Sequence, residues 1–185
     1  MANKNSLNKN CILEANRKIH QLGLAFQTFG NVSGRYKKKC LIKPSGVDLS
    51  KINHSDIVEI DLKSEKVKRD NLKPSSDTPT HLVLYKKFPE IGGIAHTHSI
   101  YATSWAQSGK QIPCLGTTHA DYWNGSIPLT RQLSKEEIIT DYEKNTGRVI
   151  IEKLEELSLS PLQCPGILVP YHGPFTWGRN TSEAV

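Results

Sequence analysis

The sequence predicts an α/β fold: one domain in which a mixed sheet is covered by helices on both faces. Three observations predict it. The 185 residues suffice for one domain with a substantial core, and 37% hydrophobic with 23% charged content is that of an ordinary globular chain. Short apolar runs bounded by Gly or Pro, at residues 91–95 and 166–169, read as strands. Longer stretches with apolar residues at helical spacing alternate with them irregularly.

Taken in order, residues 7 to about 29 read as an N-terminal helix, with Leu13, Ile19, Leu22 and Leu24 near helical spacing. Gly30-Asn31-Val32-Ser33-Gly34-Arg35 breaks it and turns into a strand pair. Cys40-Leu41-Ile42 is a short strand ended by Lys43-Pro44-Ser45-Gly46. Residues 57–62 and a weaker strand near Val67 form a hairpin through Lys63-Ser64-Glu65. Lys73-Pro74-Ser75-Ser76-Asp77-Thr78-Pro79 is a loop leading into a helix over 80–88, whose apolar face carries Leu82, Tyr85 and Phe88. The strand of His96-Thr97-His98 follows, then a helix from about 99 to 107. A short strand near Leu115, a loop over 117–125 and a long helix from about 135 to 157 lead to the last strand, 166–169. The charged face of that long helix reads as solvated surface.

His96 and His98 carry the most chemistry. On a strand, side chains at i and i+2 share a face, so both imidazoles converge; on a helix they would diverge by about 200°. Neutral imidazoles are good ligands for zinc and similar ions. An HxH pair also serves as a hydrogen-bonded structural pair, so a third ligand is required. His172, in Tyr171-His172-Gly173-Pro174 after the run at 166–169, supplies a candidate. Three histidines plus an open position is the pattern of a catalytic metal site. Asp77 stays open between two roles: Ser76 or Asp77 is placed to cap the helix beginning near Pro79, and Asp77 is equally a carboxylate available to a metal.

Three loops end in small hydroxyl, amide or glycine residues: Gly30-Asn31, Ser45-Gly46 and Ser75-Ser76. Each offers backbone N–H groups, and the third lies at a helix N-terminus, a ready anion site. Lys43 adjoins the second. Together with a net charge of +6 they suggest a phosphate pocket. Asp121, in Thr117-Thr118-His119-Ala120-Asp121-Tyr122, is placed to be a general base or an ordinary loop acid. The lysine clusters at 37–39 and 63–73 do not interleave with aromatics, which argues against a nucleic-acid binder. Residues 1–10 are polar and lysine-bearing, and no stretch approaches a membrane span, so a cytoplasmic location is expected. Cys11, Cys40, Cys114 and Cys164 form no CxxC pair and read as free packing thiols.

Several of these strings recur in order in one family. Gly30-Asn31-Val32-Ser33, Lys43-Pro44-Ser45-Gly46-Val47-Asp48, Lys73 through His81, Ile91 through Ser99, Gly116 through Tyr122 and His172-Gly173-Pro174-Phe175 together resemble the L-ribulose-5-phosphate 4-epimerases. These belong to the class II aldolase family of metal-dependent sugar-phosphate enzymes. The resemblance implies a single-domain α/β/α layered fold around a mostly antiparallel sheet over residues 1–185. It implies metal ligation by His96, His98, His172 and Asp77, normally of zinc, and phosphate contacts from the three loops with Lys43 nearby. Asp121 matches the family's catalytic acid/base, which reaches the site of a neighbouring subunit in a four-fold symmetric tetramer.

The resemblance also implies a reaction, epimerisation of L-ribulose 5-phosphate to D-xylulose 5-phosphate in pentose catabolism. The hydrogen on C4 is not acidic, so inversion proceeds by breaking and re-forming the C3–C4 bond, with the metal as Lewis acid. Two proton-handling groups are then required. The family's second, a Tyr near its C-terminus, has no counterpart before Val185, so the domain is expected to be C-terminally short. Family aldolases acting on fuculose and rhamnulose phosphates carry Glu where this chain has Asp77, which favours the epimerase. The alternatives are an aldolase acting on another sugar phosphate and a catalytically impaired metal-binding domain, as in adducins.

Overall fold

The structure is a computed structural model that describes residues 9–68 and 72–185. Its elements are α1 (Lys9–Gln21), β1 (Asn31–Tyr36), β2 (Lys39–Ile42), a 3₁₀ turn (His54–Asp56), β3 (Val58–Asp61), α2 (Thr78–Lys87), β4 (Gly93–His96) and α3 (Ile100–Gln107). Then come α4 (Thr117–Tyr122), α5 (Lys135–Glu156), β5 (Gly166–Val169), β6 (Gly173–Gly178) and α6 (Thr181–Ala184). The strands form one six-stranded sheet in the order β3-β2-β1-β4-β6-β5.

Side-chain alternation divides the sheet's two faces. Cys40, Ile42, Val58, Ile60, Ile94, Ile167, Phe175 and Trp177 share one face and pack beneath Leu82, Leu84 and Tyr85 of α2 and Ile150 and Leu154 of α5. Cross-strand register enforces this grouping, since Ile94 pairs with Trp177 and His96 with Phe175. The opposite face carries Val32 and Ala95 against Ala15 and Ile19 of α1 and Ala184 of α6. Leu41 of the same face meets Ile12 and Leu13 of α1. The sheet is therefore layered by helices on both sides, as expected. Cys40 and Cys164 pack in the larger core, and burial pushes the Cys40 thiol up to about 12, which removes it as a nucleophile.

Several expectations are corrected. The sheet is antiparallel throughout its named strands; the parallel contact among the described residues is an isolated bridge, Leu129 to Leu168. The first helix stops at Gln21 instead of running to 29, and residues 7–8 of that expectation lie outside the described residues. Gly23 ends it with φ +67°, while Leu24 N–H donates to Ile19 O and Gly23 N–H to His20 O, the double bond pattern of a glycine C-cap. No strand forms at Leu115, which is exposed; the local pairing is a bridge between Ile112 and Ile127. Residues 117–122 are helical within the expected loop. Val67 makes one bridge to Ile60, short of a strand.

The largest omission is β6, with its follower α6. Gly173 and Pro174 open β6 and disguise it, yet Phe175 and Trp177 alternate inward as a half-buried strand requires. Among the described residues no helix is long and apolar enough to cross a membrane.

Candidate metal centre

His96 is the last residue of β4 and pairs with Phe175 of β6 and Asn31 of β1. Its ring stacks on Phe175 at 4.2 Å between centroids. Its Nδ1 lies 3.0 Å from Pro174 O. A carbonyl only accepts, so Nδ1 carries the proton and Nε2 presents a lone pair. That Nε2 lies 3.0 Å from Nε2 of His98. His98 sits beyond the end of the strand, where its N–H donates to Leu24 O, and its ring stacks on Phe29. The strand is shorter than expected, but the convergence it was expected to produce is present.

His172 arrives from the other side, through the hairpin turn joining β5 to β6. Tyr171 takes φ +61° there, and His172 N–H donates to Val169 O. The turn sets the His172 ring 4.5 Å from that of His96. Ligand atoms of His96, His98 and His172 all lie within 4.8 Å of one another. Burial holds all three imidazoles below their ordinary pKa; the charges of His172 and His98 add to this at His96, while Asp77 opposes it at His98 and His172. Three neutral imidazoles clustered this closely suit a divalent metal.

Asp77 is the residue before α2, but it makes no side-chain cap bond and its backbone is already helical. Asp77 therefore does not cap the helix through its side chain. Its Oδ2 accepts from Asn31 Nδ2 at 2.7 Å. It lines the same cavity as the histidines, yet falls outside their close cluster. Behind it, Asp77, His81 and Tyr85 rise one above another on α2 at helical spacing. Ser33 of β1 meets this stripe, with its Oγ 2.6 Å from His81 Nδ1 and 2.9 Å from the Tyr85 hydroxyl. Arg35, next on that face, donates to the Tyr85, Phe88 and Ile91 carbonyls and lies over the Tyr85 ring. Burial pushes His81 down to about 3, so its imidazole is neutral where it braces β1 against the helix that follows Asp77.

The two Lys-Pro-Ser loops are bridged to each other. Pro44 pairs with Pro74, Ser45 N–H donates to Lys73 O and Ser75 N–H to Lys43 O. Gly46 beside them and Gly30 across the cavity both hold φ +72°. At Gly30 an added Cβ would come within 2.8 Å of Ala25 Cβ, so the turn into β1 requires glycine. Lys43 is buried, with its Nζ donating to Thr28 O at 2.7 Å, and burial lowers its pKa to about 8. Every residue expected to bind metal or phosphate lines one cavity of about 380 Å³.

Asp121 does not. It lies exposed on α4, outside that cavity. Conversely, the cavity includes Thr28, Phe29, Tyr142 and Glu143, none of which the sequence reading singled out. Tyr142 and Glu143 lay inside what reads as a continuous solvated helix, and no local signal marked them. In the structure α5 breaks at Asp141, with φ −161° and ψ 69°.

Fold and site together define an α/β protein with three clustered histidines in a cavity also lined by Lys43 and the serine loops. The chain belongs to the class II aldolase family: the family described as Class II Aldolase and Adducin N-terminal domain matches residues 10–185. Among solved structures, an L-fuculose 1-phosphate aldolase superposes with a TM-score of 0.77 at 24% identity, covering 100% of this chain and 80% of that one. A sugar-phosphate aldolase from Thermotoga maritima gives 0.72 at 19% identity, covering 95% and 86%. YgbL from Escherichia coli gives 0.70 at 20% identity, covering 95% and 80%. At these identities the likeness is one of fold.

Proposed function

We propose that this protein is a zinc-dependent L-ribulose-5-phosphate 4-epimerase, forming D-xylulose 5-phosphate in the cytoplasm during pentose catabolism. One observation carries the reading: three neutral imidazoles converge at the end of the cavity that also holds Lys43 and the paired serine loops. The whole chain acts as one catalytic domain.

His96, His98 and His172 would hold the divalent ion through nitrogen, with the Asp77 carboxylate completing the set. The ion, zinc or another divalent metal, would supply Lewis acidity toward the substrate's carbonyl and neighbouring hydroxyl oxygens. The remaining work falls to the chain. Asn31 turns its Nδ2 to Asp77 and leaves Oδ1 buried without a partner, an acceptor suited to a substrate hydroxyl. Ser45 and Ser75 spend their backbone N–H groups on each other's loops. Phosphate binding therefore rests on the Ser45, Ser75 and Ser76 hydroxyls, on Gly46 and Gly30 backbone, on the N-terminus of α2 and on the Lys43 charge. Held by its phosphate, the two-carbon aldehyde fragment would stay bound while it rotates to expose its other face. Asp121 of a neighbouring copy in a homotetramer would handle one of the two protons.

The test combines metal analysis with an assay for D-xylulose 5-phosphate formed from L-ribulose 5-phosphate, with and without added zinc. Zinc-dependent turnover at one ion per chain is the expected result. A filled site without turnover would sink the catalytic reading. Release of dihydroxyacetone phosphate from another sugar phosphate, with no epimer formed, would make the protein an aldolase instead.

A further inference from the structure

The break in α5 is a built feature. Asp141 leaves helical geometry, and Glu137 O, four residues before it, accepts from a side chain beyond the break. Asn145 Nδ2 donates across the break to Glu137 O at 2.9 Å, and its Oδ1 accepts from Arg148 at 2.8 Å. Thr146 Oγ1 donates to Tyr142 O at 2.9 Å, and the Thr80 hydroxyl of α2 donates to Glu143 O. Asn145 and Thr146 are both buried, so this bracing is held away from water. In a straight helix Asn145 and Glu137 would lie about 12 Å apart along the axis, so the bond between them depends on the break. The consequence of the break is local: Tyr142, the next residue, lines the cavity and sets its hydroxyl 3.1 Å from His172 Nδ1.

His172 is the histidine that most needs such a contact. His96 is fixed by the sheet, by Phe175 beneath it and by Pro174 O on Nδ1. His172 sits in a hairpin turn next to a residue at positive φ, and its ring packs edge-on against Phe175 instead of stacking. Histidines that ligate metals usually donate their second ring N–H to a fixed acceptor, which sets both tautomer and ring direction. For His96 that acceptor is a backbone carbonyl; for His172 the atom in the corresponding place is the Tyr142 phenol oxygen.

We propose that Tyr142 is a positioning residue of the metal centre, accepting the Nδ1 proton of His172 so that Nε2 faces the ion. The inference rests on the metal reading above. A phenol can also donate, in which case the proton sits on Nε2 and blocks ligation. Metal binding therefore selects the arrangement in which Tyr142 accepts. The break at Asp141, braced by Asn145, is what keeps the phenol within reach.

The test uses the full chain, stripped of metal and titrated with zinc against a chromophoric chelator. Tyr142→Phe is expected to bind one zinc about 10- to 100-fold more weakly than wild type. Its metal-free melting temperature and circular dichroism should stay unchanged. Asn145→Ala, which leaves the phenol in place but loosens the break, is expected to weaken zinc binding in the same direction. Equal affinity of Tyr142→Phe and wild type would overturn the inference while leaving the metal site standing. Failure of wild type to bind zinc would overturn the metal reading, and the inference with it. A second measurement needs no variant: long-range proton–nitrogen NMR of the zinc-loaded wild type should show His172 protonated at Nδ1. Ligation through Nδ1 would overturn the inference.

Discussion

The end of β4 and the segment around Asp121 lie in one chain but are built in different ways. At the first, strand pairing, ring stacking and a carbonyl hydrogen bond hold His96 out of water, and a hairpin and the Leu24 carbonyl bring in His172 and His98. At the second, Asp121 rides on a six-residue helix with no buried residue, beside Tyr122 at 74% and Leu115 at 87% exposure. The first region is assembled by a single chain. Asp121 lies outside the cavity that holds the histidines, and under the proposed function it would work only against a neighbour. Metal holding and proton handling should then be separable by mutation.

The sharpest way to break that comparison is to cut each region alone. His96→Ala should abolish stoichiometric zinc binding after dialysis and, with it, all turnover. Asp121→Asn should keep full zinc occupancy while lowering kcat by about 10²- to 10⁴-fold. Mixed oligomers of the two variants should recover part of the activity, because one interface would then pair an intact histidine set with an intact Asp121. No recovery on mixing, with both variants assembling normally, would remove Asp121 from a neighbour's site.

A smaller effect is expected at Lys43. Loss of a charge-assisted hydrogen bond of about 1.5–3 kcal/mol should raise KM in Lys43→Met roughly 10- to 100-fold. Burial lowers the amine to about 8, so it is charged below that pH and neutral above it. Wild-type KM should therefore rise as pH increases through about 8, and the variant should lack that step. The sign is opposite for stability. The fold disfavours the charged amine, a cost present in full below about pH 8 and relieved as pH rises toward the unfolded value of 10.5. Lys43→Met should melt no lower than wild type at pH 7.

The mildest change is expected on the exposed segment. Leu115→Ser with Tyr122→Ser should alter stability by no more than about 0.5 kcal/mol per site and leave zinc binding intact. Sedimentation should nevertheless show a smaller assembly. An unchanged assembly would show that these side chains do not join copies of the chain.

Much of the fold was legible because short apolar runs and helical spacing report local backbone state. Residues 40–42, 91–95 and 166–169 are read as strands from type and punctuation alone, and β2, β4 and β5 form there. Elsewhere single residues with special geometry decided the outcome. Gly23 ended α1 early, Pro174 masked β6, and Asp141 interrupted a helix whose charge pattern looks continuous. At the site, the His96–His98 pair was visible because its members lie two residues apart, and each serine loop because it carries its own run of small polar residues. Tyr142 was not, because its relevance depends on a contact with a residue thirty positions away.

By itself the sequence determined the residue types, several short strand patterns, the HxH geometry and the family resemblance, all of which depend on neighbours along the chain. Only the tertiary structure decided that the His172 ring lies beside the pair, that Asp77 lines the cavity and makes no helix-cap bond, and that Tyr142 enters while Asp121 stays outside. The reason is physical. Periodicity constrains where a side chain points relative to its own element, whereas convergence on one point is set by strand register, turn geometry and helix packing, which act between elements far apart in the chain.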